Sequence, residues 1–292
     1  MDRARILTTT DLSENSLNVI DKAIDIAIKS NSWLEVLHVI EPKLFAFGVA
    51  GGSSGEGADK QPDDERLKAI NGRIKDGLGR KIDMMSVETR FGNVVNTVKV
   101  YAIEKRAKLI VIGHSGRESG LKGFFLGSIA KQIVIENLAS TLVVKNAKLK
   151  SYETIYAPTN FSFDSQKAIG EAIEQFSDAK FVIEHLIETP SELQSTYYGF
   201  DKIEVEAHEM AIKAAAVNQM KIFIDDLKAK YPIAADTKIE TKITVGEIHG
   251  EQIAKNAESY GAQLITLYAT PKRSSHAYAI LDCANVDLLL VK

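Results

Sequence analysis

Apolar positions along the chain recur at two alternating spacings, and the alternation predicts the fold class. Arg5–Thr9 reads as a strand, and Ser13–Ser30 places Leu17, Ile20, Ile24 and Ile28 at helical spacing. Trp33–Ile40 reads as a second strand and Asp64–Asp83 as a second helix. Val87–Phe91, Val94–Arg106, Leu109–Ile112, Ser128–Asn137 and Leu142–Lys145 continue the alternation. Strands that alternate with helices imply βαβ units and a parallel sheet with helices on both faces. The runs "LIVI" and "LVV" suit strands buried on both sides. In such sheets ligands bind beyond the carboxyl ends of the strands.

The same order of segments then returns, about 150 residues further on. "ILTTTDLSENS" at Ile6 recurs as "IYAPTNFSFDS" at Ile155, so Thr10, Ser13 and Ser16 fall on Thr159, Ser162 and Ser165. His38 falls on His185, the "RFGNVV" segment on "TVGEIH", "AKLIVIG" on "AQLITLY", and "TLVVK" on "LLLVK". Five weak matches in one order predict two homologous halves, 1–148 and 149–292, joined near Asn146–Tyr152. A chain of 292 residues is long enough for two domains.

Two stretches interrupt the pattern. Phe47–Asp64 is rich in Gly, Ser and Asp and reads as a surface loop, with a lid over a ligand as the alternative. Phe200–Tyr231 reads as one long helix that packs on the core or walls an apolar pocket.

A net charge of −3 argues against a nucleic-acid partner. The single Cys283 excludes an internal disulfide and a Cys-rich metal site. No apolar run reaches the roughly 18–20 residues that span a bilayer. The first segment enters a strand without a leader-like run, so a cytoplasmic protein without a membrane partner is expected. Catalytic motifs fail on spacing. No window supplies G-x-x-x-x-G-K-[ST]. Gly113-His114-Ser115-Gly116 misses the G-x-S-x-G elbow by one residue. The histidines lack metal-ligand spacing, and His38 and His185 read as structural residues inside apolar strands.

What remains is "GHSGRESGLKGFFLGS", Gly113–Ser128, between a strand and a helix. Glycines let backbone approach phosphate oxygens, and a helix start offers unpaired N–H groups. A plain connecting loop is the competing reading. Asp11 ends the first strand, where Asp11-x-x-Glu14 predicts a capping box with Asp11 as the cap. It also stands where a base or ribose could donate to it.

These segments together resemble the universal stress protein family, in the tandem arrangement of two domains in one chain. "TTTDLSENS", "LEVLHVIEP", "RFGNVV" and Leu109–Lys145 carry the resemblance, which covers nearly the whole chain. It implies an open five-stranded parallel sheet in each half, strand order 3-2-1-4-5, with the halves paired through their last strands and a homodimer left open. The nucleotide-binding branch of the family has the pattern G-2x-G-9x-G-[ST]. Gly113 and Gly116 fit its start and Gly127-Ser128 its end, with ten residues between Gly116 and Gly127 rather than nine. The resemblance implies that Asp11 binds the adenine or ribose end of ATP and that Val39 offers backbone groups to adenine. Gly113, Ser115 and Gly116 would line ribose and phosphates. Gly127, Ser128 and Ile129 would hold phosphate, and magnesium or manganese would arrive with the nucleotide. No residue near the loop is an obvious general base, so hydrolysis would be slow at most.

The second half departs from this pattern. Asn160 stands in place of Asp11 and is expected to keep the capping role, while "ATPKRSSHAYAILD" lacks the glycines. ATP is therefore expected in the first half alone. The alternative is a non-enzymatic interaction or carrier protein whose second half encloses an apolar ligand, lined by Phe181, Leu186, Tyr197, Phe200, Met210, Ala214 and Val217.

Overall fold

The computed structural model describes residues 3–41, 64–78, 82–114, 127–149, 151–188, 202–246, 248–269 and 275–292. They form two compact units, one ending at Ala139 and the other beginning at Ser140.

The first unit contains β1 (Arg5–Thr10), α1 (Glu14–Lys29), β2 (Trp33–Ile40), α2 (Asp64–Gly77), β3 (Met85–Phe91), α3 (Val94–Glu104), β4 (Leu109–Gly113) and α4 (Ser128–Glu136). Its strands run parallel in the order β3-β2-β1-β4. Leu7, Leu34, Val36 and Ile110 are fully buried on these strands, and Ile20, Ala23, Ile24 and Ala27 bury the inner stripe of α1. The α1 stripe matches the predicted helical spacing, apart from Ile28, which faces solvent.

The second unit contains β5 (Ser140–Val144), β6 (Thr154–Pro158), α5 (Phe163–Gln175), β7 (Lys180–Ile187), α6 (Lys202–Lys230), β8 (Ile239–Val245), α7 (Gly250–Ser259), β9 (Leu264–Tyr268), α8 (Ser275–Cys283) and β10 (Asp287–Val291). Its strand order is β5-β10-β9-β6-β7-β8. The second repeat's own strands are all parallel, in the order 3-2-1-4-5 when counted within the repeat. The last strand of the first repeat, β5, adds to this sheet antiparallel to β10, with Leu142 opposite Leu289.

A buried polar clamp holds β5 in place. Asp287 is fully buried and accepts from the backbone N–H groups of Lys145 and Asn146 at 2.7 and 2.8 Å and from the Tyr152 hydroxyl at 2.7 Å. Lys145 Nζ donates to the carbonyls of Leu281 and Ala284 at the end of α8. A buried carboxylate is tolerated only when its lone pairs are filled in this way. Burial, followed by the Asp287 charge, pushes the Tyr152 hydroxyl well above the ordinary tyrosine range.

Candidate functional site

The first unit gathers its candidate residues at the carboxyl ends of β1, β2 and β4, where parallel sheets bind ligands. The turn from β1 into α1 is built from short polar side chains. Leu12 adopts a left-handed backbone (φ 64°), which places the N-cap two residues beyond Asp11. Ser13, not Asp11, is the N-cap, and its Oγ accepts from the Ser16 N–H at 3.2 Å. Asp11 braces that cap: its Oδ1 accepts from Ser13 N–H at 3.0 Å and from Ser13 Oγ at 2.6 Å. The capping-box expectation is thus corrected, because an Asx turn at Asp11 delays the helix.

Beside it, His38 Nδ1 lies 2.8 Å from the Thr10 carbonyl. A carbonyl can only accept, so Nδ1 carries the proton and donates. This ties the end of β2 to the end of β1 and confirms a structural role for His38. The register of β1 with β2 stops at Thr10 opposite His38, one residue short of Val39. Val39 itself is half-buried and pairs with Arg90 of β3.

Gly113 closes β4, and the next residue reaches the start of α4. The Gly127 N–H donates to the His114 carbonyl at 2.6 Å, and Gly127 O accepts from Lys131 N. Gly127 is therefore the N-cap, and it supplies no side-chain cap. By contrast, Ser13, Asn93, Ser162 and His249 each cap their helices through the side chain. Beyond the engaged Gly127 N–H, the first N–H groups of α4, from Ser128 onward, are those that a helix leaves without intrahelical partners. Ser128 and Ile129 are both exposed. Ser115 and Gly116 lie outside the described residues, as do positions 47–63 of the stretch for which a lid is the alternative.

In the second unit the same turn recurs. Ser162 caps α5, and Asn160 Oδ1 accepts from Ser162 N–H at 3.2 Å, so Asn160 braces the cap as Asp11 does and is not itself the cap. His185 Nδ1 again lies 2.8 Å from a carbonyl, that of Thr159. Phe161 stacks on His185 at 4.2 Å and meets Phe223 of α6 at 5.8 Å, so aromatic side chains lie at this strand end.

The residues expected to line an apolar pocket do not converge. Phe181 and Leu186 are buried in the core, Met210, Ala214 and Val217 are exposed on α6, and Tyr197 and Phe200 lie outside the described residues. What the unit offers instead is an open cleft of 340 Å³ between α5 and α6, with Phe161, Phe163, Ile222 and Phe223 beside Gln166, Gln219 and Asp226.

Two buried glutamates escaped the sequence reading. Glu35, in β2, accepts from Arg5 at 2.5 Å, from Tyr101 at 3.0 Å and from Ser86. Glu184, in β7, is fully buried. Its Oε1 accepts from Thr244 and Tyr260 at 2.6 and 2.8 Å, and its Oε2 from Tyr156 and Asn256 at 2.5 and 2.8 Å. Burial first, then the Glu184 bond, pushes the Tyr260 hydroxyl up to about 12 and raises Tyr156 further. Tyr101 is raised by burial and by Glu35. The signal in the sequence is an acidic residue inside an apolar strand, "LEVLHVI" and "FVIEHLI". With their donors in place, these carboxylates read as structural hubs.

Among the described residues no three His, Cys, Asp or Glu side chains are grouped to hold a metal, and no helix is long and apolar enough to cross a membrane.

Comparison with known proteins agrees with this architecture. Residues 3–145 match the model of the universal stress protein family. A universal stress protein of Methanocaldococcus jannaschii is 30% identical over 146 residues, which cover 49% of this chain and 83% of the relative. Among solved structures, a functionally unknown protein from Pseudomonas aeruginosa PAO1 superposes with a TM-score of 0.64 at 15% identity, over 99% of this chain and 92% of that one. A universal stress protein from Archaeoglobus fulgidus superposes with a TM-score of 0.57 at 14% identity, over 99% and 98% of the two chains. The chain belongs to the universal stress protein family.

Proposed function

We propose that the first unit binds one ATP and serves as a nucleotide-dependent sensor or regulatory module in a stress response, with at most slow hydrolysis. The observation that carries this reading is the start of α4. It opens on a glycine without a side-chain cap, tethered to the end of β4. Its first N–H groups and the positive end of the helix dipole would receive phosphate oxygens. Asp11, at the end of the neighbouring β1, carries a carboxylate, the group that would accept from a ribose hydroxyl or base N–H. Val39 and Gly113 would supply backbone at the ends of β2 and β4. Ser115 and Gly116 belong to the same reading by their sequence positions. Magnesium or manganese would be held by the phosphates, since no metal-binding group of side chains occurs among the described residues.

Gly127→Asp tests the assignment. It places a side chain and a negative charge where phosphate would approach, and Asp remains a good N-cap, so the helix should persist. Titration calorimetry should show ATP binding to the parent and none to the variant. Unchanged binding would place the nucleotide elsewhere.

A further inference from the structure

The second unit leaves one carboxylate unpaired in its open cleft. Asp226 of α6 lines the cleft, and among the described residues it takes part in no hydrogen bond or ion pair. A partner stands at the right spacing. Lys230 lies four residues further along the same helix, and an acid four residues before a lysine is the favoured order for an ion pair. Lys230 turns elsewhere: its Nζ sits 3.7 Å from the centre of the Phe163 ring and 3.5 Å from Gln166 Oε1. Other acids of the unit with a lysine in reach do pair, as Glu171 does with Lys167 and Glu240 with Lys180 and Lys242.

The surroundings of Asp226 fit one kind of ligand. The cleft measures 340 Å³, within the range of small-molecule sites. It opens beside the carboxyl end of β6, because Phe161, Ser162 and Phe163 follow that strand, and parallel sheets bind ligands at that edge. Phe223 is buried and Phe161 half-buried, so their rings make its inner wall, while Phe163 and Ile222, 66% and 62% exposed, flank its mouth. Phenyl faces attract cations, and Lys230 on Phe163 is one such contact. An anion in the cleft would meet Asp226, and a neutral ring would leave that carboxylate unpaired. We propose that the cleft binds a small arylalkyl ammonium ion, with its charge on Asp226 and its ring against Phe161 and Phe223. A charge-assisted hydrogen bond to Asp226 holds the ammonium group. Gln219, which also lines the cleft, accepts a second N–H through its amide oxygen. Lys230 is not among the lining residues, so its charge opposes the ligand less than Asp226 attracts it. This site is independent of the nucleotide reading of the first unit.

NMR titration of the isotope-labelled full-length protein with three probes of similar size tests this: phenethylamine, phenethyl alcohol and phenylpropionate. The amine should bind saturably and shift the backbone resonances of Phe161–Gln166 and Gln219–Asp226. Its affinity should exceed that of the alcohol about tenfold, the worth of one charge-assisted hydrogen bond, and phenylpropionate should bind weakest. Asp226→Asn should reduce the amine to the level of the alcohol. Lys230→Met should strengthen amine binding, because it removes a competing charge and uncovers the Phe163 face. Asp226 and Lys230 are both exposed, so circular dichroism of the two variants should be unchanged. An amine that does not bind, or binds no better than the other two probes, would overturn the proposal. So would shifts confined to residues away from the cleft, an Asp226→Asn variant that keeps the advantage of the amine, or a Lys230→Met variant that binds it less.

Discussion

The turns Thr10–Ser16 and Thr159–Ser165 share a hydrogen-bond plan and differ in chemistry. In each, the first threonine bonds the last serine at 2.9 Å and accepts from the N–H two residues on at 3.0 Å. The middle serine caps the following helix at 3.2 Å in both. The third residue of each is left-handed, Leu12 at φ 64° and Phe161 at φ 62°. A carboxylate occupies the second position in one unit and an amide in the other, and either oxygen accepts the same N–H. The turn therefore needs an acceptor and does not need a charge. The charge in the first unit is therefore a difference between the two turns that their shared hydrogen bonds do not require. In the second unit, Phe161 lies against His185 and meets Phe223, whereas Leu12, at the matching position of the first unit, is 40% exposed. Aromatic side chains lie at one strand end, while the other has an acidic group and, in the same unit, a helix start without a side-chain cap.

The strongest way to probe how differently the units are built is through their buried carboxylates. Glu184→Ala should cost about 3–5 kcal/mol, because four donors lose their acceptor and Tyr156, the one fully buried among them, is cut off from solvent. Glu35→Ala should cost less, about 1–2 kcal/mol, because the Arg5 side chain is 35% exposed and can return to solvent. Urea unfolding of the two variants checks the order. Equal losses would show that the hubs are equivalent.

The acidic residue itself is the sharper comparison. Asp11→Asn gives the first unit the second unit's side chain. It should lower ATP affinity about tenfold, the worth of one charge-assisted hydrogen bond, and leave the melting temperature unchanged. The reverse change, Asn160→Asp, should create no ATP site. A melting temperature that falls with Asp11→Asn would give the charge a structural role instead.

The smallest effect is a pH dependence. Tyr260 is pushed up to about 12 by burial and by Glu184, and Tyr156 and Tyr152 are raised too. An unfolded tyrosine ionises near 10, so above that pH the unfolded state holds fewer protons than the native one. Stability should then be complete below pH ~10 and fall as pH rises toward 12, with no matching loss in Tyr260→Phe at that step. Denaturant midpoints from pH 8 to 12 would show it.

The fold was legible because helix and strand periods are local and the repeat showed them twice. Trp33–Ile40 falls on β2 without adjustment. The helix cap was misread because Asp-x-x-Glu looks the same whether Asp11 caps or braces, and only the left-handed Leu12 decides. The allocation of β5 to the second unit depended on Asp287, a residue far away in sequence whose clamp no periodicity reveals. The α6 pattern failed for a different reason. Apolar residues occupy two stripes of that helix, Ala216–Leu227 packed and Ile203–Val217 exposed, and spacing alone does not say which one meets the core. Positions were legible where periodicity changes: Asp11 follows the end of β1, and Gly127-Ser128 opens α4. The asymmetry of the site came through in Asn160 and the missing glycines, but the aromatic contact with His185 did not.

That asymmetry is the central claim, and stoichiometry tests it most directly. Titration calorimetry of ATP with the full-length protein should give one site per chain. Asp11→Asn should weaken that site, and Asn160→Asp should add none. Two sites per chain, or no site at all, would contradict the account.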